Sequence, residues 1–107
     1  MNQDLDELVD TLDTIAEMVA AGHSAYLADQ RNRWAIQRGW IFAGNLADRI
    51  SRHTGPNDLW SELVAIRNVY AHYTPSMIDD ERVWFDTTND LERLLRKIKA
   101  HQHRSTP

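Results

Sequence analysis

The chain has 107 residues, enough for one domain, and its 42% hydrophobic and 26% charged residues are typical of a folded globular protein. It contains no cysteine, which excludes a disulfide framework, a thiolate zinc site and a cysteine nucleophile. The formal net charge of −4, taken alone, argues against a protein whose main task is nucleic-acid binding.

An acidic amphipathic helix is predicted at the start of the chain. The apolar residues that recur at the spacing of one helical face are Leu5, Leu8, Val9, Leu12, Ile15, Ala16 and Val19. Residues 1–17 carry several acids and no base, and early acids suit the dipole of a helix N-terminus. Gly22 is expected to end this helix, and a short helical piece is expected from Ser24, as its cap, to Asp29.

A second, basic helix is predicted from about Gln30 to His53. Its apolar stripe consists of Trp34, Ile36, Trp40, Ile41, Ala43, Leu46, Ala47 and Ile50. Between residues 31 and 53 the charged residues are Arg31, Arg33, Arg38, Arg49 and Arg52 against Asp48 alone. Such a cluster is either a solvated helix face or a surface for a partner. Gly39 and Gly44 are unfavourable inside a helix and indicate close packing against another helix.

A third helix is predicted after the loop at residues 54–58, with Asn57 or Asp58 as its N-cap. Its apolar positions are Leu59, Trp60, Leu63, Val64, Ile66, Tyr70 and Ala71. It should end by Thr74, because Pro75 disfavours helical geometry in the residue before it.

The last helix is predicted from about Asp79 to Ala100, and residues 101–107 are predicted to be a flexible tail. Its apolar positions are Val83, Trp84, Leu91, Leu94, Leu95 and Ile98. No segment shows strand alternation. We therefore expect an all-α fold, an antiparallel bundle of four to five helices over residues 1–100, with the tryptophans in its core or an interface.

No targeting or membrane segment is recognisable. Acidic residues, rather than a basic patch and an apolar run, follow Met1, so no signal peptide is expected. No stretch approaches the roughly 18 apolar residues of a membrane span. We therefore expect a cytoplasmic protein that does not contact a membrane.

The residues most suited to chemistry lie near the end of the third helix. Asn68 and His72 are four apart and share a helical face. Arg67 and His72 are five apart, about 140° around the axis, so they do not converge tightly within one chain. A two-fold axis past the end of this helix would bring two copies of the set to one cleft. The spacing therefore favours a homodimer with a composite site.

These side chains fit RNA cleavage without a metal or another cofactor. An imidazole exchanges protons near neutral pH, and a guanidinium offers forked donors to a phosphate. Asn68 could hold the imidazole or donate to an oxygen. The alternative is structural: His72 placed favourably at a helix C-terminus and Arg67 in a surface ion pair.

The ordered set of motifs resembles the HepT-like members of the HEPN family. Arg67-Asn68-x-x-x-His72 is similar to the family's R-x4-6-H signature, with Asn in the polar place after Arg. Further similar stretches cover nearly the whole chain: residues 27–29, 34–35, 41–45, 60–66, 78–84 and 89–94.

This resemblance implies a HEPN-like homodimer that acts as a toxin beside a minimal nucleotidyltransferase antitoxin. In such proteins the R-x4-H motifs meet in a cleft and cleave RNA as a metal-independent endoribonuclease. Carried over to this chain, Arg67 and His72 are the catalytic pair and Asn68 is their polar neighbour.

Two positions depart from the family pattern. The family reads H-x-Y, and the antitoxin adenylylates that tyrosine. Here Thr74 occupies its place, and Tyr73, directly after His72, is the candidate for adenylylation or for a supporting role. The family also has Gly-Glu where this chain has Gly44-Asn45, so any role of that carboxylate is lost.

Two other functions remain open from the sequence. One is a catalytically silent HEPN module that binds a nucleotidyltransferase partner or a nucleotide, which the acidic net charge and the altered tyrosine favour. The other is a plain helical dimerisation protein, which the four tryptophans and the amphipathic helices favour.

Overall fold

The computed structural model describes residues 2–73 and 77–105 and contains five helices within them. They are α1 (Asn2–Ala20), α2 (His23–Ala28), α3 (Gln30–Thr54), α4 (Asp58–His72) and α5 (Asp80–Ser105). The predicted all-α class is confirmed, because these described residues include no strand. A search of the same residues finds no helix with the length and apolar character needed to cross a bilayer.

The first helix buries one apolar stripe and ends in a glycine turn, as predicted. The stripe's buried side chains are Leu5, Leu8, Val9, Leu12 and Ile15. Gly22 has a φ of 99°, and its N–H donates to the carbonyl of Val19 at 3.0 Å. Glycine suits this left-handed conformation because it has no Cβ.

The start of α2 corrects one predicted cap. Ser24 lies inside α2, and Gly22 occupies the N-cap position without a side-chain hydrogen bond. The cap that does form belongs to Asp29, whose carboxylate accepts the backbone N–H of Arg31 at 2.8 Å at the start of α3. Asp29 thus ends one helix and begins the next, which leaves almost no connection between α2 and α3.

The connection from α3 to α4 is shorter than the predicted loop. Thr54 is still helical, and Gly55 follows with a φ of 94°. Asn57 is the N-cap of α4, since its side-chain oxygen accepts the N–H of Leu59 at 2.7 Å and of Trp60 at 3.2 Å. The helix ends at His72; Thr74 and Pro75 lie outside the described residues.

The last helix is longer than predicted, because α5 continues to Ser105; residues 106–107 of the predicted tail lie outside the described residues. Its last turns contact the rest of the molecule. The His101 ring lies 5.1 Å from the Trp60 ring, centre to centre, and Gln102 Nε2 donates to Asp6 Oδ1 at 2.6 Å. The sequence around these residues is polar, so the apolar periodicity that marks the rest of α5 stops before the helix does.

The contact of His101 leads to a prediction about pH. Burial lowers the pKa of His101, and the nearby Arg104 acts in the same direction. The unfolded chain therefore binds this proton more readily than the folded chain does. This contribution to stability is complete above the ordinary histidine value of about 6.5 and is lost as the pH falls through the lowered pKa.

We expect the thermal unfolding temperature of wild type to decrease when the pH is lowered from about 7.5 to about 5.5. The decrease should be smaller in His101→Gln. His103→Gln is the matched control, because His103 is exposed in the same turn of α5. An equal pH dependence in wild type and His101→Gln would show that His101 does not couple protonation to folding.

The core lies between α1, α3, α4 and α5, and only part of the tryptophan prediction is confirmed. Trp40 and Trp60 are buried, and Trp84 is half-buried. The Trp40 indole Nε1–H donates to the buried Thr87 hydroxyl at 3.0 Å. Trp34, however, is 47% exposed, because it lies on the side of α3 that faces solvent beside α4.

The helices α1 and α4 pack against α3, and α5 packs against α1. Gly39 of α3 faces Ile15 of α1, and Gly44 faces Arg67 of α4. A Cβ at Gly39 would lie 2.9 Å from Ile15 Cγ1, so both glycines permit close approach, as predicted. The same pairing places the middle of α3 directly against α4.

Most of the arginines on the basic helix α3 form ion pairs within the chain. Arg49 contacts Asp4 at 3.2 Å, so the acidic first helix and the basic second one meet directly. Arg31, Arg33 and Arg52 likewise have carboxylate partners. Arg38 has none in the described part of the chain, and its guanidinium carbon lies 5.7 Å from the centre of the Phe42 ring. Of the α3 arginines, Arg38 is therefore the one whose positive charge is left for a partner.

Candidate functional site

Arg67 lies at a close approach of α3 and α4. It follows the fully buried Leu63 by one turn of α4 and is itself half-buried. Opposite it, a Cβ added at Gly44 would overlap Arg67 Cβ and lie 2.9 Å from the carbonyl oxygen of Leu63. The missing side chain at Gly44 thus lets the base of the Arg67 side chain lie against α3.

Two neutral amides hold the Arg67 guanidinium. Its Nε and Nη2 donate to Asn68 Oδ1 at 3.1 and 3.0 Å, and its Nη1 donates to Asn45 Oδ1 at 3.3 Å. No carboxylate pairs with Arg67 among residues 2–73 and 77–105. The amides fix the orientation of the guanidinium but leave its charge uncompensated, which suits an anionic ligand.

His72 and Tyr73 lie at the exposed end of α4. His72 is the last helical residue, and Tyr73 follows with extended backbone and a side chain that is 50% exposed. Asn68 is four residues before His72 and shares its face. The described chain has no hydrogen bond between His72 and Arg67. Within one copy, Asn68 accepts hydrogen bonds from Arg67 and lies on the same helical face as His72.

Asn45 belongs to this cluster, although the sequence marks it only as a departure from the family's Gly-Glu pattern. Its contact with Arg67 follows from its place directly after Gly44, where α4 comes closest to the backbone of α3. A glycine inside a helix signals such an approach, and a polar neighbour of that glycine can reach across it. The sequence therefore signalled a close approach at Gly44, but not that Arg67 would lie opposite it.

A groove of about 320 Å³ adjoins the cluster between α3 and the end of α4. Its wall includes Trp34, Gln37, Arg38, Phe42, Tyr70 and Tyr73. Ile41 also lines it and precedes Asn45 by one turn, so the groove ends about 6 Å along the helix axis from the residue that contacts Arg67. The groove and the Arg67 cluster therefore lie on adjacent turns of α3.

Tyr70, which lines the groove, is suited to hydrogen bonding rather than to proton transfer. Burial raises its pKa to about 12, and the nearby Asp86 and Asp90 add to the effect. A phenol with so high a pKa stays neutral at physiological pH. It can therefore contribute a hydroxyl or a ring face to a ligand, but not a phenolate.

Two of the other histidines in the described chain have local contacts. His23 Nε2 lies 2.9 Å from Glu81 Oε2, and the His23 ring packs against Trp84. His101 packs on Trp60. Within residues 2–73 and 77–105, no three histidine, aspartate or glutamate side chains lie together as a metal-binding group.

Comparison of the chain with protein-family models, with curated proteins and with solved structures found no match. The functional interpretation consequently depends on the residues of this chain and on their arrangement.

Proposed function

We propose that this chain is a HepT-like HEPN toxin: a metal-independent endoribonuclease that acts as a homodimer in the cytoplasm. The observation that carries the proposal is the Arg67 guanidinium, which two neutral amides orient and no described carboxylate neutralises. It lies five residues before the exposed His72 on α4, and a two-fold axis would bring the guanidinium of one copy to the imidazole of the other. A cation prepared for an anion beside a proton-exchanging group is what cleavage of a phosphodiester requires.

The proposed reaction is transfer within the RNA strand. His72 takes the proton of a ribose 2′-hydroxyl, and the 2′-oxygen attacks the adjacent phosphorus. The bond from phosphorus to the 5′-oxygen of the next nucleotide breaks, which leaves a 2′,3′-cyclic phosphate and a 5′-hydroxyl. Arg67 binds the phosphoryl oxygens as their charge increases, and Asn68 and Asn45 hold Arg67 in place.

A homodimer supplies the remaining proton. The departing 5′-oxygen needs a donor, and among the described residues of a single chain His72 is the one imidazole at this end of α4. Two copies related by an axis past the end of α4 would contribute a second His72 to the same cleft, one acting as base and the other as acid. The angle of about 140° between Arg67 and His72 favours this arrangement, because one copy does not bring them together.

Regulation by a cognate minimal nucleotidyltransferase antitoxin completes the proposal. Tyr73 is half-exposed and directly follows His72, so its phenol is accessible to such an enzyme. Transfer of AMP from ATP to the phenol oxygen, with release of pyrophosphate, would put an anion and a bulky group beside the cleft and block RNA. The alternative for Tyr73 is a supporting role, as a wall of the groove that adjoins Arg67.

The test is incubation of the purified chain with tRNA and mRNA in EDTA. We expect cleavage that produces 2′,3′-cyclic phosphate ends, and a loss of about 10²- to 10⁴-fold in His72→Ala, the range typical for a general acid–base residue. Arg67→Ala should show a comparable loss. His103→Ala and Arg96→Ala are matched controls, because both residues are exposed on α5, and they should cleave at the wild-type rate.

A catalytically silent HEPN module is the second candidate. It is favoured by the net charge of −4 and by the hydrogen bonds that already engage three nitrogens of Arg67. Such a module would form a stable complex with its nucleotidyltransferase partner and would not cleave RNA in any of the variants. Activity that persists unchanged in His72→Ala would instead remove the nuclease proposal.

A further inference from the structure

The groove beside Arg67 contains a buried hydrogen-bond donor without an acceptor. Gln37 lies on its wall, is only 6% exposed, and its Nε2 atom is sealed from water. No hydrogen bond to this atom is present in the described part of the chain. An unsatisfied amide at such a position costs free energy of folding, so its retention calls for an explanation, and a ligand that supplies the missing partner is one.

The remainder of the groove presents aromatic surface and one free cation. Trp34 is 47% exposed, and Phe42 and Tyr73 are each 50% exposed, although large aromatic side chains normally bury more of their surface. Arg38 lies over the Phe42 ring and has no ion pair among the described residues. Stacking surface, an amide donor and a guanidinium are the groups that bind a base and its phosphate.

We propose that this groove binds one nucleobase of single-stranded RNA next to the cleaved phosphate. The inference rests on the proposed nuclease function and names the form of RNA that it takes. The base stacks on the aromatic wall, the Gln37 side chain turns so that its buried amide donates a hydrogen bond to the base, and Arg38 contacts the backbone. The spacing of about 6 Å from Ile41 to Asn45 then leaves Arg67 about one nucleotide away.

A second copy of the chain fits the groove less well than a base does. An apolar interface would cover Trp34 and Phe42, but it would also take the exposed Arg38 charge out of water, which is costly unless the second copy places a carboxylate there. Double-stranded RNA is unsuitable for another reason: its bases are paired and stacked, so none can enter a groove of this size.

The experiment measures the affinity of the full chain for a single-stranded 2′-O-methyl RNA, which cannot be cleaved. Trp34→Ala is expected to weaken binding about 10-fold, within the range for loss of one stacked base. Gln37→Met is expected to weaken it by about the same factor, because one hydrogen bond to the base is lost. The controls are Phe85→Ala, an aromatic residue of α5 that is 62% exposed, and Arg96→Ala. Both should bind like wild type, and a duplex of the same sequence should bind more weakly.

Gln37→Met also separates a ligand-binding role from a structural one. Methionine has a similar size and no donor, so the variant should have an equal or higher thermal unfolding midpoint while it binds RNA more weakly. A structural residue would lower both quantities together. That result would overturn the proposed subsite.

The remaining outcomes distinguish the subsite from the nuclease. The subsite is overturned if wild type fails to bind the probe, or if Trp34→Ala and Gln37→Met both bind it as tightly as wild type does. Either result counts even if wild type cleaves RNA. Binding that these two variants weaken, without cleavage in any protein, supports the subsite and removes the nuclease. Dissociation of a dimer in Trp34→Ala with unchanged RNA affinity assigns the groove to a second copy and overturns the subsite.

Discussion

Replacing Trp40 with alanine is expected to lower the free energy of unfolding by about 4 kcal/mol, a large part of the stability of a small domain. Trp40 is 2% exposed and is one of the largest buried side chains of the core. Its removal leaves a cavity and deprives the buried Thr87 hydroxyl of the hydrogen bond that it accepts from the indole N–H. Urea denaturation followed by far-UV circular dichroism measures the loss.

Trp34→Ala is the matched control for this prediction. It makes the same substitution in the same helix, but at a side chain that is half in solvent, so a loss below about 1 kcal/mol is expected. Equal losses in the two variants would contradict the arrangement of α3, with Trp40 facing the core and Trp34 facing outward. The control also shows that Trp34→Ala folds, as the RNA-binding experiment requires.

Gly44→Ala is expected to destabilise the chain by about 2 kcal/mol even though alanine favours helices more than glycine does. The added methyl group would overlap Arg67 Cβ and press on the Leu63 carbonyl, neither of which is a flexible side-chain end. The helices α3 and α4 would have to separate. Thermal unfolding should show a midpoint lower by roughly 10 °C.

Gly39→Ala is the control for Gly44→Ala. It lies in the same helix, and its added Cβ would meet only side-chain atoms of Ile15, which can shift. We expect a smaller loss of stability there and unchanged RNA cleavage. Gly44→Ala should in addition reduce cleavage, because it displaces Arg67 from Asn45. A wild-type midpoint in Gly44→Ala would show that the two helices are farther apart than described.

The positions of the helices could be predicted from the sequence because apolar periodicity and capping residues are local signals. Gly22 and Asn57 ended and began helices where these rules place them. The rules failed where a tertiary contact decides the outcome. The last turns of α5 are polar, and their contacts with Trp60 and Asp6 could not be seen before the fold was known.

For the candidate site, the sequence led to a prediction at the end of α4 but not to the residues that α3 contributes. Helical spacing placed Asn68 and His72 on one face without any knowledge of the fold. The part of Asn45 depends on how α3 and α4 pair, which is a non-local property. The same is true of Trp34: an apolar residue on a helical stripe is expected to be buried, but the edge of that stripe faces the groove.

The molecule measures 44 × 26 × 19 Å along its principal axes. A helix with its side chains is about 10–12 Å across, so the shortest dimension accommodates two helices and no third. The chain is therefore a flat, two-layer fold with two broad surfaces and a single layer of core side chains between them. Exposed residues on one broad surface can be substituted without disturbing a second core or the opposite surface. A protein of this shape can acquire a different binding partner on either side while its folding remains essentially the same.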